Sequence, residues 1–314
     1  MKKIFILFVA SLALLTSCSQ DKLNDKSIFE DVADTTGCNK EFEEWLYINY
    51  VKPYNAVVQY QLPDGSTEMD YNLVPVSLTA AKKTAYAVKY LWMDVYKTKV
   101  DCTFVQSYTP RLFNLIGSPA IDAAQGTMTL GVAEGGVKIT LYYMNYIDYT
   151  DMAWMNTYIF HVMHHEFSHI LHQAKTFPSD YDQISAGNYD SEGWQYHTDE
   201  EAYSLGFVTP YSMKEAHEDF VEVISSYITD TRETWEARGF IMKEDHTGIE
   251  DIKTDMYPQG TPIINQKITM AKDWLREKFG YELDSIRAEV QRRQDALAEN
   301  PDTIYHYCKV PVLK

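Results

Sequence analysis

His161-Val162-Met163-His164-His165-Glu166-Phe167-Ser168-His169-Ile170-Leu171-His172-Gln173 is the stretch on which the reading of this chain turns. It holds five of the nine histidines. Within it, His165 to His169 form an H-E-x-x-H pattern. On an α-helix, residues i and i+4 project from one face a turn apart, so two imidazoles can share one tetrahedral metal ion, for which zinc is the usual choice. Glu166, next to the first imidazole, can then reach a water at that point as general base. With His165 set at zero and about 100° per residue, His169 lies at about 40°, His172 at about −20°, His161 at about −40° and Tyr158 at about 20°. Phe160, Met163, Phe167, Ile170, Leu171 and Ala174 fall on the opposite side. One face of this helix is therefore core. The other is a stripe of histidines, where a merely solvated face would carry Lys, Glu or Gln.

Three protein ligands are normal for a catalytic zinc. His172 shares the face but sits a further turn along the axis, which suits cleft lining or orientation of a ligand better than coordination. No Gly and His follow at the spacing of metzincins. Downstream, Glu218-Asp219-Phe220-Val221-Glu222 lies on a helix opened by Ser212-Met213-Lys214-Glu215, a capping-box pattern, and running to about residue 229. Glu218 and Glu222 share the face opposite its apolar stripe, and helix periodicity alone reads that as a solvated acidic face. The residues themselves thus leave Glu218, Asp219 and His172 open as third ligand.

The pair of H-E-x-x-H and a later E-x-F-x-E helix resembles the gluzincin peptidases, in particular those of the lethal factor type. The resemblance implies Glu218 as third zinc ligand with Asp219 as runner-up, Glu222 as a carboxylate orienting a ligand histidine, and Tyr211, seven residues before Glu218, as a transition-state donor. From about residue 45 to 297 the chain also resembles a lipoprotein family of substrate import-associated zinc metallohydrolases. That likeness is carried by Ile116-Gly117-Ser118, Gly131-Val132-Ala133-Glu134-Gly135-Gly136, the histidine-rich stretch and Glu218 to Glu222. It implies one Zn²⁺ per chain, peptide or protein substrates and a place beside an outer-membrane nutrient importer. Two alternatives stand beside a peptidase: a catalytically silent binding lipoprotein of an import complex, and a zinc hydrolase of a non-peptide amide or ester.

The N-terminus reads as an address. Lys2 and Lys3 precede an apolar run over residues 4–15, too short for a membrane span. Leu15-Thr16-Ser17-Cys18 resembles a bacterial lipobox, with cleavage before Cys18 and a lipid on its thiol. Ser19 in the next position points to an outer-membrane lipoprotein, and the acidic tether resembles surface-export signals. The expected divisions are a signal peptide at 1–17, a lipidated Cys and tether at 18–40, and one metallohydrolase domain at 41–314. Its N-terminal α/β part ends near 177, and a helical part covers 178–314. Cys38, Cys102 and Cys308 remain, enough for at most one disulfide.

With 45% apolar and 23% charged residues the 314-residue chain can bury a large core, and this balance excludes disorder, collagen and a multi-span membrane protein. The formal net charge of −17 becomes −19 once Lys2 and Lys3 leave with residues 1–17. Such a chain gains nothing from counterion release, so nucleic acid is not an expected partner.

The expected fold is α+β and zincin-like: a small mixed or antiparallel sheet packed on the active-site helix, with a mostly helical C-terminal part. Helices are expected near 41–51, 79–96, 152–175 (opened by Asp148 or Thr150), 263–279 and 285–299 (capped by Asp284). Residues 187–206 read as loop-rich, and the tail 302–314 fits no class. Strands are expected at 57–62 and 137–145. The second alternates, with Val137, Ile139, Leu141 and Tyr143 on one face, as a half-buried strand does. It is the candidate to border the cleft and pair with an extended substrate. Gly135 and Gly136 fit either close approach of a substrate backbone or a tight turn.

Overall fold

Helix α1, residues 40–54, stops at Asn55, whose φ of 51° makes a left-handed end. It runs past the expected stop at Pro53. That proline follows a widened turn, Tyr47–Val51, where regular i→i−4 pairing is already broken. The structure is a computed structural model and describes residues 39–62, 71–122 and 126–310. The signal peptide, Cys18, Cys38 and most of the tether lie outside these residues.

After strand β1 (Val57–Gln59), helix α2 covers residues 78–99, capped by the Ser77 hydroxyl on the Ala80 N–H. Helix α3 (Cys102–Tyr108) is capped by Asp101, whose carboxylate accepts from the Phe104 N–H at 2.6 Å. Strand β2 (Leu112–Leu115) and the short pair β3 (Ala120–Ile121) and β4 (Met128–Thr129) follow, then β5 (Gly131–Glu134) and β6 (Lys138–Leu141).

The main sheet has the order β1-β2-β6-β5 and is mixed. β1, β2 and β6 run parallel, in the register Val57↔Leu112 and Leu112↔Lys138, and β5 pairs antiparallel to β6, with Gly131 opposite Leu141. This corrects the reading of residues 137–145. The strand stops at Leu141, and it is interior to the sheet, so both its edges are already paired. Both faces are covered as well: Ile139, Thr140 and Leu141 are all buried. Alternation in sequence does not show whether a second layer covers the polar face. The edge strands of this sheet are β1 and β5. Gly135 and Gly136, at φ 56° and 71°, form the tight β5–β6 turn, closed by Val137 N–H to Glu134 C=O at 3.1 Å.

Helix α4 spans residues 152–174. Its cap is Asp151, which accepts from the Ala153 and Trp154 N–H groups, while Asp148 turns instead to Thr150. Short helices α5 (Tyr181–Ile184) and α6 (Asp199–Leu205) follow. The second sits in the stretch expected to be loop, behind a Thr198/Glu201 capping box. Helix α7 (Ala216–Thr229) is the centre of the C-terminal part, with Phe220, Val221, Val223, Ile224, Tyr227 and Ile228 buried. Around it come α8 (Arg232–Ala237), the hairpin β7 (Phe240–Met242) and β8 (Ile249–Ile252), and helices α9 (Gly260–Phe279), α10 (Leu283–Glu299) and α11 (Thr303–Cys308). Helix α10 starts after Glu282. Asp284 does not cap it and is held instead by Tyr227 and Lys272. α11 occupies the tail that fitted no class.

One apolar core runs from Phe42 to Cys308 and joins both halves. Trp92 of α2 meets Phe167 of α4 edge-on at 4.9 Å and Phe113 of β2 at 5.9 Å, so the histidine-bearing helix is clamped by aromatic rings on its apolar side. Cys102 and Cys308 are both free thiols. No described helix is long and apolar enough to cross a membrane.

Candidate metal centre

Helix α4 presents His161, His165, His169 and His172 towards α7. The apolar residues Val162, Met163, Phe167, Ile170 and Leu171 are buried around the rest of the helix. His164 lies off the stripe and is fully buried with Nδ1 3.2 Å from the Tyr96 hydroxyl; burial holds its pKa down to about 3, so it stays neutral. Tyr158 departs from the expected stripe. A widened turn at Asn156–Phe160 adds a residue to the register, and Tyr158 packs instead against Tyr143 and Trp154.

α7 lies across this face and delivers two carboxylates, one turn apart. Glu218 Oε2 stands 3.2 Å from His165 Nε2 and 3.2 Å from His169 Nε2. Glu222 Oε2 stands 2.8 Å from His165 Nδ1 and 3.0 Å from His161 Nε2. The Thr209 hydroxyl donates to Glu222 Oε1 at 3.0 Å, so that carboxylate is held from both ends. Both acids are buried, at 8% and 4% exposure, which rules out the solvated acidic face that periodicity alone suggested.

Among the described residues, two groups could hold a metal ion: His165, His169 and Glu218, and His161, His165 and Glu222. Their geometry separates them. Bonds of about 2.0–2.1 Å in a tetrahedral zinc site put ligand atoms about 3.3–3.4 Å apart. The 3.2 Å separations of the first group are close to that edge. Those of the second, at 2.8 and 3.0 Å, are hydrogen-bond lengths. The two groups share one imidazole by opposite nitrogens, the arrangement in which a carboxylate orients a metal-binding histidine. Two nitrogens and one carboxylate oxygen, with a side open to a cleft, fit a catalytic zinc.

The electrostatics agree. Burial alone would lower the His165 pKa, but Glu218 and Glu222 on its two nitrogens push it up to about 10. Burial would raise both carboxylates, but the surrounding histidines draw Glu218 and Glu222 well below the usual carboxylate range. Two buried anions thus demand positive charge between them, which a proton on the ring or a metal ion can supply.

The cleft in front of this group is walled by Met128, Leu130 and Gly131 on one side and Trp194, Tyr211 and Lys214 on the other. Glu166, buried one residue on from His165, also lines it. β5 comes this close because Gly131 has no side chain: a Cβ there would meet Val162 Cγ1 at 2.2 Å.

Tyr211 sits in a turn, Tyr211–Met213, that precedes α7. The expected capping box does not form. Ser212 exchanges hydrogen bonds with Thr209, and α7 begins only at Ala216. Tyr211 packs edge-on to Trp194 at 4.9 Å, with its ring 5.8 Å from that of His165. Burial, then the Glu218 carboxylate, push its phenol well above the usual range, so it is a hydroxyl donor at neutral pH.

The other two ligand candidates are engaged elsewhere. Asp219 is fully buried on another side of α7, 2.7 Å from Lys267 Nζ and 3.0 Å from the Tyr189 hydroxyl. His172 Nε2 stands 3.0 Å from His169 Nδ1, and its ring stacks on His217. Burial, with His169 and His217 beside it, lowers its pKa to about 4. The sequence reading gave no role to His161, Thr209, Trp194 or Lys214. For Lys214 a signal was present: Tyr211, Lys214, Glu218 and Glu222 recur at spacings of three and four, as residues on one helical face do.

No curated protein matches this chain. A crystal structure of a putative zinc-binding metallo-peptidase from Bacteroides caccae ATCC 43185 is similar to it, with 38% sequence identity and a TM-score of 0.69 over 89% of this chain and 100% of that one. A family model described as putative zinc-binding metallo-peptidase matches residues 35–284, most of the chain and all of the histidine–carboxylate site. The protein belongs to that family.

Proposed function

We propose that the protein is a zinc-dependent hydrolase of the zincin type, a metallopeptidase, that binds one Zn²⁺ per chain through His165, His169 and Glu218. The observation that carries this reading is the single oxygen of Glu218 at 3.2 Å from both imidazole Nε2 atoms. Zinc held there would lower the pKa of a water to about 7 and polarise a substrate carbonyl.

The chain's own residues do the rest. Glu166 takes the proton as the water oxygen bonds to the carbonyl carbon, then passes it to the amine nitrogen as the C–N bond breaks. The Tyr211 hydroxyl donates to the oxygen that gains charge at that carbon. Glu222 holds the His165 ring through Nδ1, and His172 steadies His169 through its Nδ1. An extended peptide pairs with the free edge of β5, which supplies main-chain donors and acceptors beside Glu166.

Cys18 carries a lipid that anchors the enzyme to the outer membrane, where it serves a nutrient importer and acts on peptides or proteins. The test begins with zinc per chain by elemental analysis, followed by cleavage of a mixed peptide library. About one zinc and cuts at defined bonds are expected. No zinc after reconstitution would overturn the reading. Zinc without any peptide cleavage would move it to a non-peptide amide or ester.

A further inference from the structure

Lys214 is the one lysine or arginine among the described residues that wall the cleft. It belongs to the short link between the Tyr211 turn and α7, where its N–H closes on the Tyr211 carbonyl at 3.1 Å. Its ammonium donates to Glu218 Oε1 at 2.8 Å and to the Tyr211 hydroxyl oxygen at 3.3 Å. The same ammonium lies 5.2 Å from the centre of the Tyr211 ring. Glu218 therefore has its two oxygens divided: Oε1 faces Lys214, and Oε2 faces His165 and His169.

We infer that Lys214 is a positioning residue that keeps Glu218 a one-oxygen ligand and fixes the Tyr211 hydroxyl beside it. The inference rests on the metal site described above. A carboxylate with both oxygens free can bind a metal through either or both. With Oε1 held by the lysine, only Oε2 is offered, and the side of the site facing the cleft stays open for water and substrate. An ammonium beside a metal site also repels the metal, so a lysine without an orienting role would weaken metal binding. Its side chain is 36% exposed, so solvent screens much of that repulsion.

These two roles predict opposite results for Lys214→Met, which removes the charge and keeps the apolar stem. The full chain, Lys214→Met and Lys214→Arg are compared in two measurements: zinc affinity by competition with a chromophoric chelator, and the visible spectrum of the cobalt(II)-substituted protein, whose intensity falls as coordination number rises. For a positioning residue, Lys214→Met binds zinc about 10–100-fold more weakly, as for lost orienting partners generally. Its cobalt bands weaken, and Lys214→Arg restores both. Equal or tighter zinc binding with an unchanged cobalt spectrum overturns the inference and leaves the metal site standing. Failure of the unmodified chain to bind either metal overturns both.

Discussion

Glu222 Oε2 lies 2.8 Å from His165 Nδ1, on the far side of the imidazole from Glu218. The ring is thereby fixed in orientation, with Nε2 left to face Glu218 and the proposed metal position. Because Glu222 also holds His161, removing it frees two rings at once. Glu222→Ala is expected to weaken zinc binding by about 10–100-fold while the chain stays folded. A chelator competition titration measures this, and an unchanged affinity would remove Glu222 from the site.

The two neighbouring acids Glu218 and Asp219 are expected to separate cleanly. Glu218→Ala should lose stoichiometric zinc. Asp219→Asn should keep zinc but leave the Lys267 ammonium buried without its partner, at a cost of about 3–5 kcal/mol. Zinc content and urea unfolding, run on both variants, check this. The reverse pattern would make Asp219 the ligand.

Glu166→Gln keeps size and hydrogen-bonding capacity but cannot take a proton. Zinc content should match that of the unmodified chain, while kcat on any cleaved peptide falls by about 10²–10⁴-fold. Retained turnover would assign the base elsewhere.

Gly131→Ala places a methyl group 2.2 Å from Val162 Cγ1 and 3.6 Å from Glu166 Cγ. Overpacking of this kind costs about 1–3 kcal/mol, and here it pushes β5 away from the site. The thermal midpoint should drop, and pairing the change with Val162→Ala should recover most of the loss. A single variant as stable as the parent would show that β5 can shift freely.

Glu289 bonds Arg292 and Arg293 on α10, and Arg293 also reaches the Tyr90 carbonyl of α2. Burial would raise the Glu289 pKa, but the two guanidinium groups bring it from 4.5 down to about 2. A carboxylate depressed in the folded state contributes stability above its unfolded pKa and loses it as pH falls through the folded one. The gap in thermal midpoint between the unmodified chain and Glu289→Gln should therefore be full above pH 4.5 and close as the pH approaches about 2. A gap that does not change with pH would exclude this linkage.

Much of the site was legible because helix geometry is local. The interval of four between His165 and His169 forces both rings onto one face wherever the helix lies. The same local rule failed at Tyr158, where the widened turn Asn156–Phe160 breaks the periodicity. It failed again at Ser212, whose hydroxyl had a nearer partner in Thr209 than the start of α7. The interior place of residues 138–141 was not legible, because alternation describes one strand and not what is stacked on it.

By itself, then, the sequence determined the histidine-bearing helix, the apolar side that buries it and the acidic pair one turn apart on a second helix. All of these follow from backbone periodicity within a few residues. Only the tertiary structure decided which side of α7 looks at α4. Glu218 and Asp219 are adjacent, and nothing local tells one from the other. The choice is made by packing: Asp219 is paired with Lys267 of α9 on one side of α7, while Glu218 and Glu222 meet histidines about fifty residues away in sequence.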